Sequence, residues 1–336
     1  DFAFAMMREI LHRTKLEDKK RLYEILAQIK SRLQMYLTSS GHSAAAVRAM
    51  SKFSHSAKIN DRMNGIAFYW LIEDLEQNFD SRVDELIERL IVVMKYVLRP
   101  ENLLISCTSQ KDGLEAVKKE IAALKKALYN SKRPDMGKVP AEMKLPMKKE
   151  GLKTPSAVQY VARAGHISHY TGAYRILKVI LSYDYLWTQI RVKGGAYGCM
   201  SGFGVYGDSY LVSYRDPNLS QTNEVFEKTA EYVENFDASE REMTKYIIGT
   251  ISDLDTPLTP SAAGNRSLSA WLTHATIEDF QKIRNEVLDA TPEDIRTLAV
   301  GIQELLAEES FCTIGNENKI EKEKELFDET VNLFRA

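Results

Sequence analysis

Residues 171–190 contain "YRILKVILSYDYLWTQI", a helical run that is apolar on every side, and a helix of that kind is buried. A strand pattern, "SAVQYVARAG" (156–165), precedes it. A hairpin pattern follows: a strand from about Ala196 to Tyr206, a turn at Gly207-Asp208, and a return strand. In the return, Tyr210, Val212 and Tyr214 alternate with Leu211, Ser213 and Arg215, the two-residue period of a strand. The second half of the chain is therefore a sheet built around a core helix.

The first hundred residues read differently. Leu22, Ile25, Leu26, Ile29, Leu33 and Leu37 recur at helical steps, and further helices are expected over 65–79 and 81–98, the last stopped by Pro100. "NLLISCTSQ" (102–110) reads as a short buried strand and 112–129 as an amphipathic helix. Residues 130–155 hold four of the nine prolines and seven Lys/Arg against three Asp/Glu, the composition of an extended, solvated linker. Beyond the hairpin, Ser239 with Glu242, Thr276 with Asp279, and Thr291-Pro292 mark helix starts. "SFCTIGNE" reads as a strand, followed by a charged helix to Ala336. Helix, link, strand and charged helix thus recur at the two ends, as in one domain used twice. The first copy lacks the opening strand, core helix and hairpin, so the chain reads as a fragment beginning inside a domain. The expected division is 1–129, a linker at 130–155, and 156–336.

Bulk properties exclude several classes. A net charge of -2 offers no footprint for nucleic acid or an anionic membrane. No apolar run approaches the ~18 residues of a membrane span. Three separated cysteines without a CxxC argue against a disulfide scaffold and suit a reducing interior, cytoplasm or organelle matrix.

The metal motifs HExxH and HxxEH are absent. "HISH" (166–169) is the one close histidine pair; it follows a strand, lacks an acidic residue between the histidines, and reads as a polar turn. No GxSxG elbow is present, and "GFGVYG" lies on a strand, not before the helix that a phosphate loop requires. Arg191 and Tyr197 around Gly194-Gly195 are the remaining candidates. The glycines permit positive φ and close approach of a ligand backbone; Arg191 offers a donor fork, and the Tyr197 hydroxyl an oxyanion donor. Read from chemistry alone, the same residues equally describe a helix stop with Arg and Tyr packed at a sheet edge.

In order and spacing, "RVKGGAYG", "VSYRDPN" and "DLDTPLTPSAAGNRS" resemble the last domain of presequence-protease-like metallopeptidases of the insulinase/pitrilysin superfamily. "TSSGHSAAAVRAMSKFSHSAKINDRMNGIAFYWLIEDL" resembles the third domain of the same proteins, so the resemblance covers nearly the whole chain. It implies an α+β fold of two homologous domains, each a mixed, largely antiparallel sheet covered by helices, the first truncated. It also implies a clamshell in which zinc is bound by the N-terminal half and none by this chain. Arg191 and Tyr197 match the family's pair that reaches across to hold the peptide and stabilise the tetrahedral intermediate. Gly194, Gly195 and Ala196 would then lie along the substrate. The expected partners are the N-terminal half of the same polypeptide and an unstructured peptide, with neither nucleic acid nor membrane. This half alone is expected to be inactive. Two other readings stand beside it: a non-catalytic scaffold of the same superfamily, and a self-standing peptide-binding module. An HxxEH upstream in the same gene separates the first from the catalytic reading, and monodispersity without a partner marks the second.

Overall fold

The computed structural model describes residues 2–135, 145 and 149–335. These fall into two compact units: one from the described residues of 1–29, 74–141 and 257–276, the other from 30–73, 142–256 and 277–336.

The first unit is helical. Its helices include Phe2–Arg13, Phe79–Val97, Lys111–Lys126 and Pro260–Thr273. Tyr23 meets Phe79 edge-on at 5.2 Å, and Arg8 pairs with Glu120 at 2.7 Å. The strand expected over 102–110 does not form. No strand among the described residues pairs with this segment, and Leu104 is 52% and Ile105 36% exposed. An extended segment without a partner leaves its N–H and C=O groups to water, and its apolar residues alone do not make a strand. "TPLTPSAAGNRS" is mostly helix: Thr259 accepts from the Ala262 N–H as N-cap, and Pro260 occupies the first turn.

The second unit is built on a six-stranded mixed sheet. Its strands are β1 (Lys149–Thr154), β2 (Tyr160–His166), β3 (Gly198–Phe203), β4 (Asp208–Tyr214), β5 (Ser310–Asn316) and β6 (Glu329–Asn332). They lie in the order β3-β4-β2-β5-β1-β6, so β3 and β6 are the edges. The β3–β4, β2–β4 and β2–β5 pairs are antiparallel; β1 runs parallel to both β5 and β6. The mixed, mostly antiparallel sheet expected from the resemblance is present.

Alternation along β2 supplies both cores. Val161 points with Leu211 and Phe311 into a cluster filled by the core helix (Ile176, Leu177, Ile180) and by Phe226, Ile295 and Leu305. Tyr160, Ala162 and Ala164 point the other way, onto Ala44, Ala45, Ala46 and Ala49 of the Gly41–Met50 helix. Alanine on both surfaces lets helix and sheet approach closely. Hydrogen bonds lock the contact: Tyr160 Oη donates to the Thr38 carbonyl at 2.8 Å and Ser310 Oγ to the Ala49 carbonyl at 2.7 Å. Residues 30–73 therefore pack as part of the unit that contains the sheet.

Two further corrections concern the sheet. Residues 149–154, placed in the expected linker, form β1, a strand paired on both sides; the expected linker residues 136–144 and 146–148 lie outside the described residues. The charged C-terminal helix is short, Glu317–Lys322, and the chain then returns to the sheet as β6.

Burying β1 puts the Glu150 carboxylate inside the protein. Arg48 donates to it through Nε at 2.7 Å and Nη2 at 2.8 Å, and Lys52 Nζ lies 2.5 Å away. Arg48 Nη1 also pairs with buried Asp61 at 2.7 Å. Burial opposes ionisation of Glu150, but the hydrogen bonds and charges of Arg48 and Lys52 prevail and hold its pKa down at about 2. Burial and the neighbouring Arg48 lower the Lys52 pKa despite its contact with Glu150.

Candidate functional site

The core helix does not keep an α register. After Ala173–Ile180 it continues as π-helical turns over Leu181–Tyr185 and Trp187–Lys193. Single π turns are uncommon and concentrate at functional sites, because the wider spacing re-aims the side chains that follow. Arg191 sits in the second of these turns.

The helix ends at Gly194-Gly195. A Cβ on Gly194 would lie 2.5 Å from the Ile190 carbonyl oxygen, so the position has no room for one. Gly195 has φ +79, a left-handed conformation that L side chains disfavour, although a Cβ there would make only ordinary contact, 3.7 Å from Pro217 Cγ. Gly195→Ala is accordingly expected to lower stability by about 1–2 kcal/mol through backbone strain alone. Urea unfolding measures this, and an unchanged midpoint would mean that the turn has another conformation.

The turn brings Arg191 and Tyr197 together. Arg191 Nη1 donates to the Tyr197 carbonyl, and the guanidinium lies 4.2 Å over the Trp187 ring and 5.5 Å from the Tyr197 ring centre. Stacking on Trp187 removes rotamer freedom from the fork. The Tyr197 N–H donates to the Tyr214 and Arg215 carbonyls at 3.1 and 3.3 Å, while the side chain is 65% exposed at the start of edge strand β3. Its ring meets Tyr214 edge-on at 6.0 Å, and Tyr214 in turn meets His42 at 4.8 Å.

The three main-chain positions expected along a substrate have different surroundings. The Gly195 N–H donates to the Arg191 carbonyl at 3.0 Å and the Ala196 N–H to the Ile190 carbonyl at 3.1 Å. The Gly194 carbonyl accepts from Asn218 Nδ2 at 2.6 Å. Ala196 is 4% exposed and its side chain belongs to the core. Gly195 alone of the three is exposed.

Arg215 is exposed with φ 49, and Asp216 turns inward, accepting from Thr222 Oγ1 at 2.6 Å and from the Asn218 N–H at 2.9 Å. Burial raises the Asp216 pKa against the opposing effect of these hydrogen bonds. Cys199, next along β3, is no nucleophile: burial pushes its thiol up to about 12.

Sequence reasoning missed Trp187 and Asn218. An aromatic four residues before Arg191 was a usable signal. Asn218 reaches Gly194 across 24 positions, a contact no local pattern announces.

No three His, Cys, Asp or Glu converge as metal ligands among the described residues. His166 of the "HISH" pair instead faces Asp208, Nδ1 to Oδ1 at 3.8 Å. No helix among them is long and apolar enough to cross a membrane.

Residues 149–314 match the family described as PreP C-terminal domain, and residues 1–75 match the family described as peptidase M16 (subfamily C) associated. Protein HypA of Clostridium perfringens is 35% identical over 337 residues, covering 99% of this chain and 34% of that protein. Presequence protease 1, chloroplastic/mitochondrial, of Arabidopsis thaliana is 31% identical over 312 residues, with 90% and 28% covered. The chain thus spans about a third of the length of the curated relatives it matches. Pitrilysin superposes with a TM-score of 0.57 at 12% identity, covering 92% of this chain and 32% of that one. A peptidase M16 inactive domain from Pseudomonas fluorescens gives 0.54 at 14% identity, covering 94% and 74%. At these identities the superpositions show a shared fold and nothing of activity.

Proposed function

The chain belongs to the presequence-protease-like M16 peptidases, and on that premise we propose that it is the C-terminal half of a peptidase acting on short unstructured peptides. The observation that carries the proposal is the clasp: Arg191 stacked on Trp187 and bonded to the Tyr197 carbonyl, with the Tyr197 side chain in the open. Arg191 holds the peptide through a guanidinium whose direction is already set. The Tyr197 hydroxyl donates to the oxygen on which charge develops as the scissile carbonyl becomes tetrahedral. Gly195, exposed and without a side chain, lets the peptide backbone approach. In this reading residues 1–129 correspond to the latter part of the family's third domain and 156–336 to its fourth.

The resemblance places zinc in the N-terminal half, and no three His, Cys, Asp or Glu converge as ligands among the described residues of this chain, so no step on it is routed through a metal. Water activation and the general base belong, in this proposal, to the N-terminal half of the same polypeptide, and this half alone does not hydrolyse peptides. The proposed compartment is cytoplasm or organelle matrix, in line with the chloroplastic/mitochondrial designation of the Arabidopsis relative.

Reconstitution tests the proposal. A fluorogenic unstructured peptide is offered, with zinc, to this chain alone and to this chain mixed with the upstream part of its polypeptide. Cleavage is expected in the mixture and not by this chain alone. A stable but inactive mixture would favour a scaffold, and cleavage by this chain alone would relocate the catalytic groups.

A further inference from the structure

The turn between Arg191 and Tyr197 is gripped from outside at both ends by one short segment, Tyr214–Asn218. At one end Asn218 Nδ2 donates to the Gly194 carbonyl at 2.6 Å. At the other, the Tyr214 and Arg215 carbonyls accept the Tyr197 N–H. Between these contacts, Pro217 has a ring-fixed φ and lies against Gly195.

The segment is itself anchored in the sheet. Asp216 is fully buried, and its backbone exchanges two hydrogen bonds with Gln159, just before β2, at 2.7 and 2.8 Å. Its carboxylate holds the Asn218 N–H at 2.9 Å and the Thr222 hydroxyl at 2.6 Å. A path of contacts therefore runs from Gln159 at the start of β2 through Asp216 and Asn218 to the Gly194 carbonyl that caps the π-helical stretch. Helix-terminal carbonyls lack a partner within the helix, and this one receives a side-chain amide whose own backbone is fixed.

We propose that Asn218 is a positioning residue: held by Asp216, it sets the Gly194-Gly195 turn and with it the spacing between the Arg191 guanidinium and the Tyr197 hydroxyl. The proposal rests on the reading of Arg191 and Tyr197 as the groups that hold the peptide and stabilise its transition state. Asn218 touches neither the peptide nor the reacting carbonyl. Its loss leaves both groups present but imprecisely placed, which lowers kcat more than it raises KM.

The informative variant is Asn218→Asp. It keeps the size and the backbone N–H but removes the donor to the Gly194 carbonyl while its carboxyl is ionised. Amide exchange is measured in this chain alone, and kcat and KM in the reconstituted peptidase. In Asn218→Asp at neutral pH, exchange at Gly195 and Tyr197 is expected to quicken about tenfold, with Ala162 and Cys312 in the central strands unchanged. Protection returns at acid pH, because the protonated carboxyl introduced by the substitution again donates to the Gly194 carbonyl. The kcat is expected to fall about tenfold with KM within about twofold. Asn218→Ala gives the same exchange and kcat changes without recovery in acid; Asn218→Ser, which keeps a hydroxyl donor, serves if alanine prevents folding and is expected to show a smaller loss than Asn218→Asp.

Unchanged exchange at Gly195 and Tyr197 in Asn218→Asp overturns the positioning role whatever the chain's function. Quickened exchange with wild-type kcat overturns it as well, leaving Asn218 a purely structural group. Full activity in Arg191→Ala would overturn the functional reading and the catalytic sense of the positioning, while the exchange data still judge whether Asn218 holds the turn.

Discussion

Glu150→Ala is expected to cost about 3–5 kcal/mol of folding stability, read as a lower urea midpoint with an unchanged slope. The side chain lies in β1 among Arg48, Lys52 and Asp61, all buried. Removing it takes away both oxygens of the bidentate Arg48 pair and the one carboxylate in contact with Lys52. Arg48 then keeps only its pair with Asp61, and the Lys52 ammonium is left buried without the Glu150 carboxylate. Domain stabilities are typically about 5–15 kcal/mol, so the variant should sit close to unfolding at ambient temperature. Lys52→Met in the same background removes one stranded cation and is expected to recover part of the loss. A cost under about 1 kcal/mol would show that solvent reaches the cluster.

The same carboxylate makes stability pH-dependent, and the sign follows from its depressed pKa. The folded value of about 2 lies below the ordinary glutamate value of 4.5. Glu150 therefore contributes its full stabilisation above about pH 4.5, and the contribution is lost as pH falls towards 2. Urea titrations between these values should show wild-type stability falling with acid and Glu150→Gln falling less steeply. Equal slopes would assign the acid loss to other carboxylates.

Tyr197→Phe is expected to lower kcat of the reconstituted peptidase by about 10²–10³-fold, the usual effect of losing one preorganised donor to a developing oxyanion, and Arg191→Ala by a similar factor through loss of the oriented hold on the peptide. Arg191 differs from an ordinary surface arginine in being stacked on Trp187 and bonded to the Tyr197 carbonyl, so its orientation precedes substrate binding. Arg191→Lys keeps the charge but loses the planar fork and the stack, and should recover little activity. Tyr197→Phe removes one oxygen from a side chain that is largely in solvent, so folding stability should barely change. Loss of activity with retained stability is the signature that separates chemistry from packing.

Much of this was legible in the sequence where local pattern governs. The period-2 return strand became β4, Gly207 takes φ +95 at the hairpin turn, and Ser239 with Glu242 forms the capping box. Illegible features depend on residues far away. Lys149, Glu150 and Lys153 make β1 look like a solvated linker, because the arginine that neutralises Glu150 lies 102 positions earlier. The 102–110 segment misled in the opposite sense: its residues suit a strand, but no strand among the described residues pairs with it. The core helix is apolar all round and so carries no periodicity that could separate an α from a π register. The Arg191–Tyr197 spacing was readable through the family resemblance, whereas the buried Ala196 and the anchoring Asn218 required the folded turn.

The most direct measurement is a double-mutant cycle on kcat in the reconstituted peptidase, using Arg191→Ala, Tyr197→Phe and the two together at saturating peptide. If the two side chains act as one preorganised unit on the same transition state, the double variant should be scarcely slower than the worse single one. Losses that multiply would mean that the residues act independently, and single variants with wild-type kcat would remove this chain from the chemistry altogether.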